Sequence, residues 1–258
     1  MTVRIARWLV LFFVTLYAGC TEQNADLFIT ANLQPSSECI VLPDSPRLFG
    51  GVLDTGLARG VEPTSSYTVY PLYQNQMKNR SSVAPLRADP NGFTVLGAEV
   101  QLVGADGTSL ALPGGLANPY TIVAGESTYV PASLANEVSA QPGALEIIPS
   151  HYVEALDEVV LSAGAFTMLA VVTAFGVTTG DNELELNPWK WSIRVARWAL
   201  VDFASGDDPA TPGVCDSTEA ASDTPCKPLG ADEPVDCRYC RASLNPEVAA
   251  CCGQGLCE

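Results

Sequence analysis

Residues 165–201 have the sequence AFTMLAVVTAFGVTTGDNELELNPWKWSIRVARWALV, the strongest structural signal in the chain. In its first half, residues 165–178, apolar side chains occupy both alternating sets of positions, which predicts a central strand covered on both faces. The polar residues 179–182 then predict a hairpin loop. In the second half, the apolar residues change from even to odd positions at Asn187-Pro188. This change predicts a β-bulge, because an unbroken strand would turn its apolar side to water.

The chain before this hairpin also favours β-structure. Residues 98–102 alternate between apolar and polar side chains, the period of a strand with one packed and one wet face. Other short β-prone runs are residues 27–33, 39–42, 66–74, 120–123 and 127–130. Turns are predicted at residues 89–92 (Asp-Pro-Asn-Gly) and 106–107 (Asp-Gly).

Few segments predict anything other than strand or turn. Residues 44–65 are rich in glycine and predict a loop with one weak strand near residues 51–53. Short helices are predicted at residues 133–140 and at 150–160, where Pro149-Ser150 supplies a start signal.

Roughly seven to nine short strands with polar turns predict a mainly β fold, an antiparallel β-sandwich. The layout resembles the immunoglobulin-like β-sandwich domains of exported proteins over residues 27–203. That resemblance implies an architecture and no particular activity.

The composition changes at Asp202. Residues 202–258 contain eleven acidic residues, three basic residues and six prolines, with few large aliphatic side chains. A segment this short cannot bury enough apolar surface to offset the loss of chain entropy on folding. Cross-links are therefore expected to order it. Residues 204–258 are therefore interpreted as an acidic, cysteine-rich, irregular tail.

The N-terminus has the layout of a secretory signal peptide. Arg4 and Arg7 precede a nearly uncharged run, residues 8–18, and small residues stand directly before Cys20. The run is about half the roughly 20 residues of a membrane-spanning helix, which disfavours a retained span. A secreted protein cleaved after Ala18 or Gly19 is an alternative interpretation.

The end of this segment, LYAGC at residues 16–20, resembles the lipobox of bacterial lipoproteins. Tyr17 departs from the pattern, which usually has leucine there. The resemblance implies that residues 1–19 are removed, that Cys20 is acylated, with palmitate among its acyl chains, and that residues 20–26 form a tether. Thr21 after the anchor implies location at the outer membrane of the cell envelope.

The net charge excludes some partners. The chain carries a formal charge of −16, and loss of Arg4 and Arg7 with the signal leaves −18. Such a surface repels phosphate backbones and anionic lipid headgroups, so nucleic-acid binding is not expected.

The cysteines predict a disulfide framework. Of nine cysteines, acylation of Cys20 leaves eight, an even number suited to four disulfides in an oxidising compartment. Seven of them lie in the tail, and an odd number there requires one bond outward, for which Cys39 is the remaining partner. The disulfide candidates are Cys39, Cys215, Cys226, Cys237, Cys240, Cys251, Cys252 and Cys257.

Two other chemistries suit the spacing of the tail cysteines. Cys237 and Cys240 have zinc-ligand spacing and, with Cys251 or Cys252, would supply thiolate ligands for a tetrahedral site. The same Cys237-x-x-Cys240 pair would suit redox chemistry, since Arg238 beside it can depress a thiol pKa. Export favours disulfides, so no metal or other cofactor is predicted.

The remaining candidate residues favour structural roles. His151 is the single histidine, and a serine hydrolase would have to use it. The chain contains no Gly-x-Ser-x-Gly motif, so His151 is interpreted as a polar residue near a helix start. Two acidic clusters lack EF-hand spacing and suit turns or linkers better than calcium. Tryptophans that would stack on sugars if exposed are expected in the core. The clusters are Asp181-Asn182-Glu183 and Asp207-Asp208, and the tryptophans are Trp189, Trp191 and Trp198.

These observations favour a non-catalytic, lipid-anchored envelope protein that binds another protein or a glycan, or has a structural role. The alternative is an envelope enzyme, such as a glycan hydrolase that uses two carboxylates. A pocket with two carboxylates roughly 5 to 10 Å apart would favour the enzyme.

Overall fold

The computed structural model describes residues 26–60, 63–79, 89–134, 137–202 and 225–238. This part of the chain is mainly β, as the sequence predicts, with two α-helices, α1 (Thr55–Arg59) and α2 (Ser150–Ala163). In chain order the strands are β1 (Leu27–Leu33), β2 (Arg47–Leu48), β3 (Gly51–Asp54), β4 (Tyr67–Val69), β5 (Pro71–Asn75), β6 (Phe93–Gly104), β7 (Tyr120–Val130), β8 (Ser139–Pro142), β9 (Leu145–Ile148), β10 (Phe166–Thr178), β11 (Glu183–Glu185), β12 (Trp189–Ala196), β13 (Val201–Asp202) and β14 (Val235–Asp236).

The strands form two larger sheets and two small ones. A six-stranded sheet has the order β3-β12-β10-β6-β7, with β11 paired to β10, and a four-stranded sheet has the order β2-β1-β5-β8. Two-stranded sheets join β4 to β9 and β13 to β14. Pairing is antiparallel except between β3 and β12 and between β13 and β14.

Strand β10 lies at the centre of the larger sheet, between β6 and β12. Its even-numbered side chains are fully buried, from Met168 to Ala174. Its odd-numbered residues are half-buried from Leu169 to Val177, and Thr167 is exposed, so the prediction of cover on both faces is wrong for the outer face. Neighbours in the same sheet provide the shielding there: the Phe175 ring lies against Gly97 of β6, where an added Cβ would stand 2.7 Å from it.

The predicted hairpin and bulge are both present. Thr178 N–H donates to Asn182 O at 2.9 Å, and Asp181 in the loop has a φ of 64°. Phe175 pairs with Glu185, whereas Val172 pairs with Trp189, so the second strand has gained one residue. The extra residue keeps the even-numbered Leu186 and the odd-numbered Trp191 both buried.

Three local predictions are wrong. Residues 39–42 form no strand; Cys39 lies in a bend with a φ of 60°, which a strand residue does not adopt. The predicted helix at residues 133–140 is replaced at its end by β8, where Ser139 N–H donates to the Ser133 hydroxyl at 3.1 Å. Tertiary hydrogen bonds outweigh helix propensity there. The weak strand predicted near residues 51–53 is present as β3, but the rest of the predicted loop at residues 44–65 contains β2 and α1.

The two larger sheets share one hydrophobic core with α2, whose predicted start at Ser150 is confirmed. Tyr152 of α2 stacks on Tyr120 of β7, with ring centroids 3.9 Å apart. The Tyr120 hydroxyl donates to Ile147 O at 2.6 Å. This hydrogen bond satisfies the Tyr120 hydroxyl while the ring stays buried. None of the helices in the described ranges has the length and apolarity that crossing a membrane requires.

The buried tyrosines predict a loss of stability at high pH. Burial raises the pKa of Tyr67, Tyr73 and Tyr120, so the folded protein holds these protons more tightly than the unfolded chain. The resulting stability is complete below the unfolded pKa of about 10 and falls as the pH rises above it. We expect the denaturant midpoint to be lower at pH 11 than at pH 9, and absorbance at 295 nm to show these tyrosines ionising only on unfolding. Equal midpoints would contradict this assignment.

Candidate functional site

Residues 225–238, here called the docked tail, lie along the edge of the six-stranded sheet. Asp54 N–H donates to Gly230 O at 2.8 Å, and Asp232 N–H donates to Val52 O at 2.9 Å. Ala231, directly between them, pairs with Leu53 as an isolated antiparallel bridge. The docked tail thereby covers part of the β3 edge, which would otherwise present unpaired backbone groups.

A disulfide joins the docked tail to the N-terminal part of the domain. Cys39 and Cys226 are bonded across 187 residues of sequence. This is the outward bond that the odd number of tail cysteines predicted for Cys39. Cys237 is also disulfide-bonded and is fully buried.

A buried polar network stands beside this disulfide. Lys227 Nζ and Asp232 Oδ2 are 2.7 Å apart, and their side chains are only 1% and 4% exposed. The other oxygen, Oδ1, accepts hydrogen bonds from Val52 N–H and the Tyr67 hydroxyl, each at 2.7 Å. The Asp232 carboxylate therefore connects the docked tail to both β3 and β4.

Tyr67 extends the network into the core. Its hydroxyl oxygen accepts a hydrogen bond from Trp191 Nε1 at 3.1 Å while its proton is donated to Asp232. Burial, and next the Asp232 charge, raise the pKa of Tyr67 well above its ordinary value, so the hydroxyl stays a donor. Gly51 permits this approach, because an added Cβ would stand 1.9 Å from the Tyr67 hydroxyl oxygen.

Glu233 orders the start of the docked tail. Its Oε2 accepts hydrogen bonds from Cys226 N–H at 2.7 Å and Lys227 N–H at 2.9 Å. A cavity of about 20 Å³ lies beside these groups and is lined by Gln34, Pro35, Leu48, Lys227, Asp232 and Glu233. This volume suffices for a single water molecule.

Replacing Tyr67 with phenylalanine is expected to lower the free energy of unfolding by about 2 kcal/mol. The change preserves the ring but leaves Trp191 Nε1 without its acceptor and Asp232 Oδ1 with one donor fewer, and unsatisfied buried groups cost about 1 to 3 kcal/mol. Urea unfolding measures the difference. The matched control is Tyr70→Phe: this half-buried ring lies 5.6 Å from Lys227 Nζ, and the substitution preserves the ring and removes a hydroxyl that takes no part in the network. Equal effects of the two substitutions would contradict the role assigned to Tyr67.

The structure places several predicted site residues apart from the docked tail. His151 is the second residue of α2 and is exposed, as its interpretation near a helix start predicted. Asp181, Asn182 and Glu183 are exposed in the hairpin. No group of three or more potential metal-ligating side chains occurs within the described ranges.

The three tryptophans differ in exposure. Trp191 is buried, as predicted, and stacks on the half-buried Trp189 with ring centroids 5.4 Å apart. Trp198 is half-buried, and its ring packs against Gly56 of α1. These three tryptophans therefore contribute mainly to packing.

Several candidates lie outside the described residues. They are Cys20, Asp207, Asp208, Cys215, Cys240, Cys251, Cys252 and Cys257.

Two open grooves on the surface are large enough to bind a ligand. One of about 520 Å³ is lined by apolar side chains including Phe175 and Val177, with Glu183 and Glu185 at its border. These two glutamates lie two positions apart on β11, so their Cα atoms are about 7 Å apart on one face. A second, more polar groove of about 470 Å³ contains Tyr70 and Glu126.

The network of Lys227, Asp232 and Tyr67 was not predicted from sequence. Tyr67 and Asp232 are 165 residues apart along the chain, so no local pattern connects them. One signal was present: Lys227 is one of three basic residues among the eleven acidic residues of the tail, and a cation in such surroundings favours an ion pair.

Comparison with known proteins adds no relative: no family model matches the chain, and neither a curated protein nor a solved structure resembles it significantly.

Proposed function

We propose that this protein is a lipid-anchored protein of the bacterial cell envelope with a non-catalytic binding or structural role. In this proposal, residues 1–19 are a signal peptide, Cys20 carries the lipid, and the folded domain stands in water on a short tether. The acyl chains supply the membrane attachment, and two or more chains suffice for a stable anchor. The acidic surface suits a protein partner or a glycan better than a nucleic acid.

The observation that carries the proposal is the disulfide between Cys39 and Cys226. Disulfides persist in oxidising compartments such as the periplasm and the cell surface and are rare in the cytosol. Export is also what the N-terminal sequence predicts. Two unconnected features, one at residues 1–20 and one in the tail, therefore favour the same compartment.

The proposal includes an immunoglobulin-like sandwich for the folded domain. In support, core residues of the four-stranded sheet, such as Leu27 and Tyr73, belong to the same cluster as Val100 and Val172 of the six-stranded sheet. Sandwiches of this kind present loops and sheet faces to partners while a filled core provides rigidity.

Thiol trapping in intact cells tests the compartment. Cells are treated with a membrane-permeant alkylating agent before lysis, and Cys39 and Cys226 are then examined by peptide mass spectrometry. The proposal predicts that both cysteines escape alkylation and are recovered as one disulfide-linked peptide pair. Full alkylation of both in growing cells would contradict it.

The alternative, a glycan hydrolase of the envelope, is favoured by one observation: Glu183 and Glu185 border the same groove. The test compares the purified protein with a Glu183→Gln, Glu185→Gln variant on cell-wall glycan, measuring released reducing ends. A binding protein releases none in either form. Hydrolysis by the wild type that is lost in the variant would support the enzyme and overturn the non-catalytic role.

A further inference from the structure

The pair formed by Lys227 and Asp232 is unusual in its burial. Both side chains are almost inaccessible, and their charged atoms are 2.7 Å apart. A buried ion pair costs several kcal/mol per ion in lost hydration, which the attraction between the charges offsets only in part. An amide made from the same two groups has no net charge and avoids that cost.

The two oxygens of Asp232 have different surroundings. Oδ2 faces the Lys227 amine, while Oδ1 accepts hydrogen bonds from Val52 N–H and Tyr67 O–H at 2.7 Å each. Two preorganised donors on one oxygen form the arrangement that stabilises the oxyanion of an acyl-transfer intermediate. The two donors on Oδ1 therefore polarise Cγ of Asp232, and Lys227 Nζ lies beside that carbon as the attacking atom.

We propose that Lys227 and Asp232 form an intramolecular isopeptide bond. A proton first passes from the Lys227 ammonium to Asp232, giving a neutral amine and a neutral carboxylic acid. The Nζ lone pair attacks Cγ, and negative charge develops on Oδ1. The Cγ–Oδ2 bond then breaks, Oδ2 leaves as water with the acid proton and one amine proton, and an Nζ–Cγ amide remains. The step needs no oxidant, reductant or other reactant.

The surroundings support each part of this step. Tyr67 remains protonated because burial, followed by the Asp232 charge, raises its pKa, and it therefore continues to donate to Oδ1. The departing water has a place in the adjoining cavity of about 20 Å³. Glu233 also lines that cavity, and its Oε2 holds the Lys227 backbone N–H at 2.9 Å, which fixes the lysine beside Asp232.

Peptide mass spectrometry tests the bond on the full-length protein after reduction and alkylation of its cysteines. Trypsin releases residues 198–238 as one peptide, because Lys227 is followed by Pro228 and the next basic residue is Arg238. The expected mass is lower than that of the linear peptide by one water molecule. Fragment ions from backbone cleavage between residues 227 and 232 are expected to be missing, since the ring holds both halves together. The full linear mass with a complete fragment series would overturn the proposal.

Variants separate the isopeptide from a cyclic imide at Asp232, which also loses one water. The Lys227→Met peptide is expected to keep all its water, apart from the mass of the substitution; loss of water from this variant would overturn the proposal. Tyr67→Phe removes one oxyanion donor and is expected to slow the loss of water about 100-fold in samples taken after synthesis. An equal rate would overturn the role of Tyr67. The wild-type peptide decides the bond itself, even if a variant folds poorly.

Discussion

Replacing Asp54 with alanine is expected to lower the free energy of unfolding by about 4 kcal/mol. Oδ1 of Asp54 accepts hydrogen bonds from Leu57 N–H at 3.0 Å and Trp198 N–H at 2.8 Å, and Oδ2 accepts one from Leu200 N–H at 2.9 Å. Each buried N–H left without a partner costs about 1 to 3 kcal/mol, and loss of the helix cap is part of that sum.

The position of Asp54 explains why one side chain matters so much. It ends β3, caps α1 and holds the segment that follows β12, so three elements depend on it. Burial raises the pKa of its carboxyl, although the backbone donors act in the opposite direction. The cost of burying the Asp54 carboxylate is therefore offset by the three backbone N–H groups that it binds.

Urea unfolding of Asp54→Ala and of two comparison variants measures this effect. Asp54→Asn keeps the shape but presents an amide N–H₂ to one of the donors, and we expect about half the loss. Asp44→Ala changes an exposed aspartate and is expected to alter stability by less than about 0.5 kcal/mol. A loss below about 1 kcal/mol in Asp54→Ala would contradict the role assigned to this residue.

Removing the disulfide between Cys39 and Cys226 is expected to cost about 4 kcal/mol. The bond closes a loop of 187 residues, and in the chain-entropy view a long loop is where a cross-link restricts the unfolded chain most. The Cys39→Ala, Cys226→Ala variant leaves no unpaired thiol at this bond. The measurement is the denaturant midpoint of that variant against the wild type, both under non-reducing conditions.

The matched control for this variant lies in the same loop. Leu42→Ala shortens an exposed side chain near Cys39 and is expected to have little effect. The double cysteine variant is also expected to be cut by protease within residues 225–238 earlier than the wild type, because the start of the docked tail then has no covalent link to the N-terminal part of the domain. Unchanged stability and unchanged proteolysis would show that the disulfide is dispensable for docking.

The sequence predicted those features whose cause is local. The change of parity at Asn187-Pro188 predicted the bulge because side chains in a strand alternate between two faces. The apolar residues can move from even to odd positions and stay on one face only if the backbone contains an extra residue. Cys39 was predicted as the partner of the tail from counting alone, and the bond to Cys226 agrees.

Features that depend on distant partners escaped prediction. Helix α1 has five residues, too few for apolar periodicity, and its stability comes from Asp54 and from packing against β12 and α2. Residues 66–74 form two strands, because β4 pairs with β9 whereas β5 belongs to the four-stranded sheet, and the chain passes from one sheet to the other at Tyr70. The pairing of Asp232 with Tyr67 likewise requires the tertiary fold, because neither residue has a distinctive neighbour in sequence.

Lipid attachment at Cys20 is the central claim about function, and metabolic labelling measures it directly. Cells that express the wild type or the Cys20→Ala variant are grown with radiolabelled palmitate, and the protein is isolated and counted. We predict label in the wild type, none in the variant, and release of the variant from the membrane fraction. An unlabelled wild type, or label that persists in Cys20→Ala, would contradict the account.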